Sequence, residues 1–179
     1  PDQEKFYSFN PPGIDGHISV WTVHDPKDGS IWFATWGNGL YHIKPKGKEL
    51  TLEDNYVIEE FHVKDGLSNE YIYSILPDDQ GNLWISTDLG INKLYRNTKK
   101  FENYTANDGL QSNEFNSGAF FRADDGELFF GGPSGINSFY PSEVSKNSVI
   151  PYVTINGITI NNKEFLIPGE IDKDQNGVL

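Results

Sequence analysis

The sequence repeats itself, and this repetition limits the possible folds more than any other feature. Each copy has a short apolar segment, a turn ending in Gly, an aromatic-centred apolar segment, and then another Gly that opens a third apolar segment. The turn glycines are Gly29, Gly81 and Gly126. A repeat of this kind predicts an array of similar small units packed side by side rather than one irregular core.

The repeated segments are short and rich in Val, Ile, Phe, Tyr and Trp, which favours strands over helices. Asp-rich turns before each Gly are typical of hairpins. The spacing, from position 29 to 81 and from 81 to 126, is close to the roughly 40–50 residues of a four-stranded propeller blade. The predicted strands are 18–23, 31–35, 39–41 and 57–61, then 72–76, 83–87, 90–94 and 101–104, then 119–121, 128–132 and 135–139, with 6–9 ending an earlier blade. The sequence therefore predicts an all-β fold, a partial β-propeller of about three four-stranded antiparallel blades.

Residues 65–94 resemble the two-component regulator propeller. The repeat of that family runs Asp-Gly-Leu-x-x-Asn, then Ile-x-x-Asp-x-x-Gly, then Leu-Trp-Ile-x-Thr-x-x-Gly-Leu. Asp65-Gly66-Leu67, Trp84, Thr87 and Gly90 match it in this chain. The resemblance covers about residues 14–140.

Residues 150–163 are similar to the opening strands of the immunoglobulin-like domain named for three tyrosines (Y_Y_Y), which follows the propeller in this family. The expected organisation is propeller blades over 1–140, a linker over 141–148 and a truncated immunoglobulin-like β-sandwich over 149–179. The repeats are placed near 14–61, 65–104 and 108–140.

The resemblance implies the periplasmic ectodomain of an inner-membrane sensor in a hybrid two-component system. Such a region recognises an oligosaccharide and signals through a rearranged homodimer, while the histidine kinase and the membrane tether lie outside this chain. It is not itself an enzyme. Two alternatives stay open: a fragment of a propeller-type glycan hydrolase or lyase, which needs a carboxylate pair at the axial mouth, and a protein-binding scaffold, which needs exposed apolar patches.

Composition limits the partners. The net charge is −12, which would repel nucleic acid and anionic membrane surfaces. There is no Cys, so no disulfide or thiolate metal site is possible, and no cofactor is expected. The four histidines (His17, His24, His42 and His62) lack metal-site spacing. Residues 172–177 resemble the first half of a calcium loop, but the favoured interpretation is an exposed hairpin turn of the second domain.

Residues that break the repeat template are the candidates for ligand binding, because the blade wall does not require them. In a blade with strands a to d, the b–c turns and the d–a linkers emerge on one face, where Trp36, Asn38 and Asp88 would lie. Strand a is nearest the axis, which places Trp21 and Tyr73 beneath that face. Aromatic rings stack on sugars and Asn or Asp binds hydroxyl groups, so these five residues are the predicted ligand site.

Two structural expectations complete the analysis. Trp32, Trp84 and Phe129 share one template position, which predicts packing between neighbouring blades. An open stack of three blades leaves unpaired strand edges, which predicts either edge pairing between copies of the chain or disorder at one end.

Overall fold

The computed structural model describes residues 19–46, 56–145, 158–160 and 163–165. Every regular element in this part of the chain is a strand or a single 3-10 turn, so the all-β prediction is confirmed. None of the described residues forms a helix long and apolar enough to span a bilayer. The predicted strand at 6–9, His17 and the calcium-like segment 172–177 lie outside the described residues.

Three antiparallel sheets follow one another along the chain, each built from strands consecutive in sequence. In the first two sheets the order is β1-β2-β3-β4 and β5-β6-β7-β8; in the third it is β11-β10-β9. The strands are β1 Val20–His24, β2 Ile31–Thr35, β3 Leu40–Pro45, β4 Tyr56–Phe61, β5 Ile72–Pro77, β6 Leu83–Thr87, β7 Gly90–Tyr95, β8 Lys100–Tyr104, β9 Phe120–Arg122, β10 Leu128–Gly132 and β11 Gly135–Phe139.

The third sheet has three strands among the described residues, one fewer than the four expected of a blade. After β11 the chain turns instead of returning along the sheet, and the Glu143 N–H donates to the Tyr140 carbonyl in that turn. Pro141 lies inside the turn and has no N–H for a sheet ladder.

The two largest apolar clusters lie between sheets, and a smaller one lies on the first sheet alone. One cluster joins the first sheet to the second and contains Trp32, and another joins the second to the third and contains Trp84. Both indole side chains are almost fully buried, which confirms the packing predicted for them. Phe129, at the same template position in the third sheet, is only half-buried, since no described element packs against that side of the blade.

The repeated linkers between blades have a defined structural role. Each begins with a 3-10 turn, Val63–Asp65 or Ala106–Asp108, followed by a Gly in the left-handed region. A template Asn on the third strand of the next blade then holds each linker: Asn92 Oδ1 accepts the Ser68 N–H at 2.8 Å, and Asn137 Oδ1 accepts the Gln111 N–H at 2.8 Å. The same side chains therefore fix the step from one blade to the next.

The chain divides into two compact units, residues 1–144 and 145–179. In the second unit the structure describes one antiparallel strand pair, β12 (Ile158–Ile160) and β13 (Lys163–Phe165). The immunoglobulin-like prediction falls mostly on residues outside the described ones and stays a prediction.

Candidate ligand-binding site

Four aromatic side chains meet where the first sheet adjoins the second, and we call them the aromatic cluster: Trp21, Trp36, Tyr71 and Tyr73. The Trp21 and Trp36 rings stack, with centroids 4.4 Å apart and planes 20° from parallel. Tyr73 meets both edge-on, at centroid distances of 6.3 Å and 5.6 Å. Tyr71 packs edge-on against Trp36 at 5.1 Å. Three of the predicted site residues therefore lie in one contact group.

Backbone hydrogen bonds between the sheets hold this arrangement. Trp36 lies directly after β2 and forms an isolated antiparallel bridge with Tyr71, the last linker residue before β5. The next turn residues, Gly37 and Gly39, both donate their N–H to the Glu70 carbonyl at 3.2 Å. A side chain at Gly37 would crowd the Tyr71 ring, so the small residue allows the turn and the linker to approach closely.

The aromatic cluster is open to solvent. Trp21 and Trp36 are each 41% exposed and Tyr71 is 40% exposed, although large aromatic side chains are usually among the more buried residues. Adjoining exposed rings offer the flat apolar surface against which a sugar ring stacks.

Asp88 places a carboxylate beside these rings. It follows β6, its N–H donates to the Tyr71 carbonyl at 3.3 Å, and its Oδ1 accepts a short hydrogen bond from the Tyr73 hydroxyl. Burial and this bond raise the pKa of Tyr73 to about 12. At neutral pH the site therefore combines a protonated phenol with a carboxylate that it orients.

Asn38 is the predicted site residue that the structure leaves apart. Its side chain is exposed, and its N–H donates to Thr35 Oγ1 at 3.1 Å in the turn after β2. Tyr71 is the residue that the sequence analysis missed. It aligns with Phe115 in the second linker, which is buried in the core, so the template suggested packing rather than exposure.

Replacing Asp88 by Ala is expected to return the pKa of Tyr73 toward the ordinary value near 10, because the folded protein then lacks the acceptor that stabilises the protonated phenol. The pKa is raised on folding, so the Tyr73–Asp88 pair contributes stability fully below about pH 10 and loses it progressively toward about pH 12. Spectroscopic titration of tyrosinate in Asp88→Ala, with Tyr73→Phe to identify the signal, measures this shift. An unchanged Tyr73 titration in Asp88→Ala would contradict the assignment.

Comparison with known proteins agrees with the repeat analysis. The sequence model of the family described as "Two component regulator propeller" matches residues 66–88, which run from the first linker through β6. Residues 66–88 therefore form a two-component regulator propeller repeat. A curated relative, "Histidine kinase P4" of Formosa agariphila, is 30% identical over 174 residues, covering 94% of this chain and 12% of that protein.

Two solved structures have the same fold. The extracellular domain of a putative hybrid two component system of B. thetaiotaomicron matches with a TM-score of 0.63 and 27% identity, over 88% of this chain and 19% of that one. A second such domain from B. thetaiotaomicron matches with a TM-score of 0.60 and 22% identity, over 70% of this chain and 17% of that one. The chain thus spans less than a fifth of each of these three relatives, and the predicted propeller fold class is confirmed.

Among the residues that the structure describes, no group of three or more His, Asp and Glu side chains is placed to hold a metal ion.

Proposed function

We propose that this chain is part of the extracytoplasmic sensor region of a two-component signalling protein and that its aromatic cluster binds an oligosaccharide. The observation that carries the proposal is the exposed Trp21–Trp36 stack beside a carboxylate that the Tyr73 hydroxyl orients. Stacked rings bind the apolar face of a sugar, and a fixed carboxylate accepts its hydroxyl groups. The relatives named as a histidine kinase and as two-component ectodomains support the sensory role.

Binding is tested by titrating the intact ectodomain with a panel of defined oligosaccharides, first by thermal shift and then by calorimetry. A ligand that binds the folded state must raise its unfolding temperature. For the sugar selected in this way, Trp36→Ala is expected to lower the affinity at least about tenfold, because an exposed ring at the centre of the contact is lost. Asp88→Ala is expected to have a similar effect, because a hydrogen bond to a charged group contributes roughly 1.5–3 kcal/mol.

The matched control is Phe121→Ala. Phe121 is an exposed aromatic residue, 63% accessible, on the third blade and outside the aromatic cluster. We expect this variant to bind as tightly as the parent. If both Trp36→Ala and Asp88→Ala bound the sugar with the affinity of the parent, the aromatic cluster would not be the binding site.

We propose that the sensor region forms a homodimer and that ligand binding signals by changing the arrangement of its two subunits. A ligand shifts such an equilibrium only if it binds one arrangement more tightly than the other. Small-angle scattering of the dimer with and without the selected sugar tests this step separately, since a binding-competent ectodomain with an unchanged scattering profile would reject the rearrangement and leave the binding site standing.

A further inference from the structure

A cavity of about 500 Å³ lies between the first two sheets at the end opposite to the aromatic cluster. Its wall comes from the turns after β1 and β5, the turn before β8 and side chains of β2, β3, β4 and β7. The aromatic cluster instead uses β1, the turn after β2, the linker before β5 and the start of β5. The volume falls within the range of small-molecule sites. The two sites are therefore separate.

Two side chains that line this cavity each carry a buried ring nitrogen without a hydrogen-bond partner among the described residues. Trp32 and His42 are 2% and 3% exposed, and their rings stack with centroids 3.7 Å apart. Trp32 Nε1 and His42 Nε2 are both buried, and neither has a hydrogen-bond partner in the part of the chain that the structure describes. An unpaired buried donor or acceptor costs about 1–3 kcal/mol, so native proteins seldom leave one without a reason.

The chemical roles of the two nitrogens are opposite. The Trp32 indole is a donor only. His42 Nδ1 lies 3.3 Å from Glu59 Oε2, and because a carboxylate only accepts, this contact places the proton on Nδ1. Burial, with the nearby Lys44 ammonium, lowers the pKa of His42 to about 4, so the ring is neutral at neutral pH and Nε2 is an acceptor. A group that both accepts and donates, namely a hydroxyl, satisfies both nitrogens.

The second blade shows what this template position contains when it is filled from within the chain. There Asp78 Oδ2 accepts from Trp84 Nε1 at 3.3 Å, and Lys93 stands where the first blade has His42. The strand registers align Asp78 with Pro26, which has no side-chain acceptor. The first blade has therefore lost the oxygen that the Trp indole requires.

The described wall of the cavity carries a surplus of positive charge, in a chain whose net charge is −12. Its three cations are Lys44, Arg96 and Lys99, and its two carboxylates are Asp28 and Glu59. Arg96 pairs with Asp28 at 2.8 Å, while Lys44 and Lys99 share Glu59. Burial alone would raise the pKa of Glu59, but the hydrogen bonds from the two lysines outweigh it and lower the pKa to about 2. One carboxylate thus pairs with two ammonium groups, so one positive charge is not balanced there, which favours binding of an additional anion in the cavity.

We propose that this cavity binds a small hydroxylated anion of the sugar-acid class, with one hydroxyl bridging Trp32 Nε1 and His42 Nε2 and the carboxylate near Lys44 and Lys99. The hydroxyl replaces the oxygen that Asp78 supplies in the second blade. The negative charge of the ligand balances the second of the two lysine ammonium groups that pair with Glu59. This site does not depend on the aromatic cluster or on its ligand.

The test follows indole ¹H–¹⁵N resonances of the whole protein labelled in Trp, assigned through single Trp→Phe variants. Three probes separate the two features of the ligand: D-glucuronate has hydroxyls and charge, D-glucose has hydroxyls only, and acetate has charge only. D-glucuronate is expected to shift the Trp32 resonance at a concentration at least about tenfold lower than either other probe, because a hydrogen bond to a charged group contributes roughly 1.5–3 kcal/mol. The Trp84 resonance, whose N–H is already paired, is expected to stay in place.

The matched variants are Lys99→Gln and Lys100→Gln, which remove the same charge from adjacent exposed residues, of which only Lys99 lines the cavity. Lys99→Gln is expected to weaken D-glucuronate binding about tenfold, and Lys100→Gln is expected to leave it unchanged. A Trp32 resonance that none of the probes moves would assign the two nitrogens to an enclosed water and overturn the proposal. Equal effects of glucose and glucuronate, or of the two Lys variants, would also overturn it. The Trp21 and Trp36 resonances report the other site independently.

Discussion

Replacing Gly90 by Ala is expected to lower the free energy of unfolding of the propeller unit by about 2–4 kcal/mol. Gly90 opens β7 with a φ of 88°, where any side chain is strained by about 1 kcal/mol. A Cβ there would also overlap the carbonyl oxygen of Tyr104, the last residue of β8, and such overpacking typically costs about 1–3 kcal/mol. Urea unfolding of the chain followed by tryptophan fluorescence measures the loss.

The repeat supplies a control for this prediction. Gly135 opens β11 at the same template position with a φ of 133°, but a Cβ built there meets no atom within 4 Å. Gly135→Ala should therefore show the cost of backbone strain alone, about 1 kcal/mol. Equal losses in the two variants would mean that the approach of β8, which only Gly90 experiences, contributes nothing.

Trp84→Ala is expected to destabilise the chain by about 3–5 kcal/mol, the usual cost of emptying a large buried aromatic site. Its indole is 1% exposed, lies 4.8 Å from the Phe139 ring, and carries the Lys93 ammonium 5.0 Å above its centroid. The substitution also leaves Asp78 without one of its buried donors. Chemical unfolding followed by far-ultraviolet circular dichroism measures this loss of stability, and its signal does not depend on the tryptophan that the substitution removes.

Phe129→Ala is the comparison at the same template position. Phe129 is half-buried, so its truncation removes less area from contact with protein, and we expect a loss of about 1 kcal/mol. A loss as large as that of Trp84→Ala would indicate that another part of the chain covers this side of the third blade.

The sequence was sufficient to predict the strands, because short β-branched and aromatic runs between Asp–Gly turns have few other structures. Most predicted and observed bounds agree within one or two residues, as for 83–87 and β6. The main difference is β3, which continues to Pro45, four residues past its predicted end. The Lys and Pro there look like turn residues in the sequence, but pairing with β4 keeps them extended.

The candidate site was predictable as far as the template determines geometry. Propeller connectivity brings the turn after the second strand of one blade close to the first strand of the next blade. This is why Trp21 and Trp36 meet Tyr73 and its partner Asp88. Tyr71 was missed because the second linker also has an aromatic residue at that position, Phe115, so Tyr71 does not break the template. The structure shows Phe115 buried and Tyr71 exposed. Exposure at that position depends on which neighbour is present, and a repeat alignment carries no information about neighbours.

The unpaired nitrogens of Trp32 and His42 could not be predicted from the sequence, for a different reason. Trp32 is a template residue, and template residues were assigned to packing, as the structure confirms. Residue spacing already aligns Pro26 with Asp78, because each lies three residues before its turn glycine. The sequence does not show that Asp78 accepts a hydrogen bond from the Trp84 indole, which only the structure reveals.

The aromatic cluster takes Trp21 and Trp36 from one blade, Tyr73 and Asp88 from the next, and Tyr71 from the linker that leads into it. Repeat arrays grow and shrink by copying or deleting whole units, and a unit copied by itself would carry only half of this cluster. Inheritance of the proposed binding site therefore requires two adjacent units to move together. Engineers who wish to graft it onto another ring should transfer the pair with its intervening segment as a single cassette.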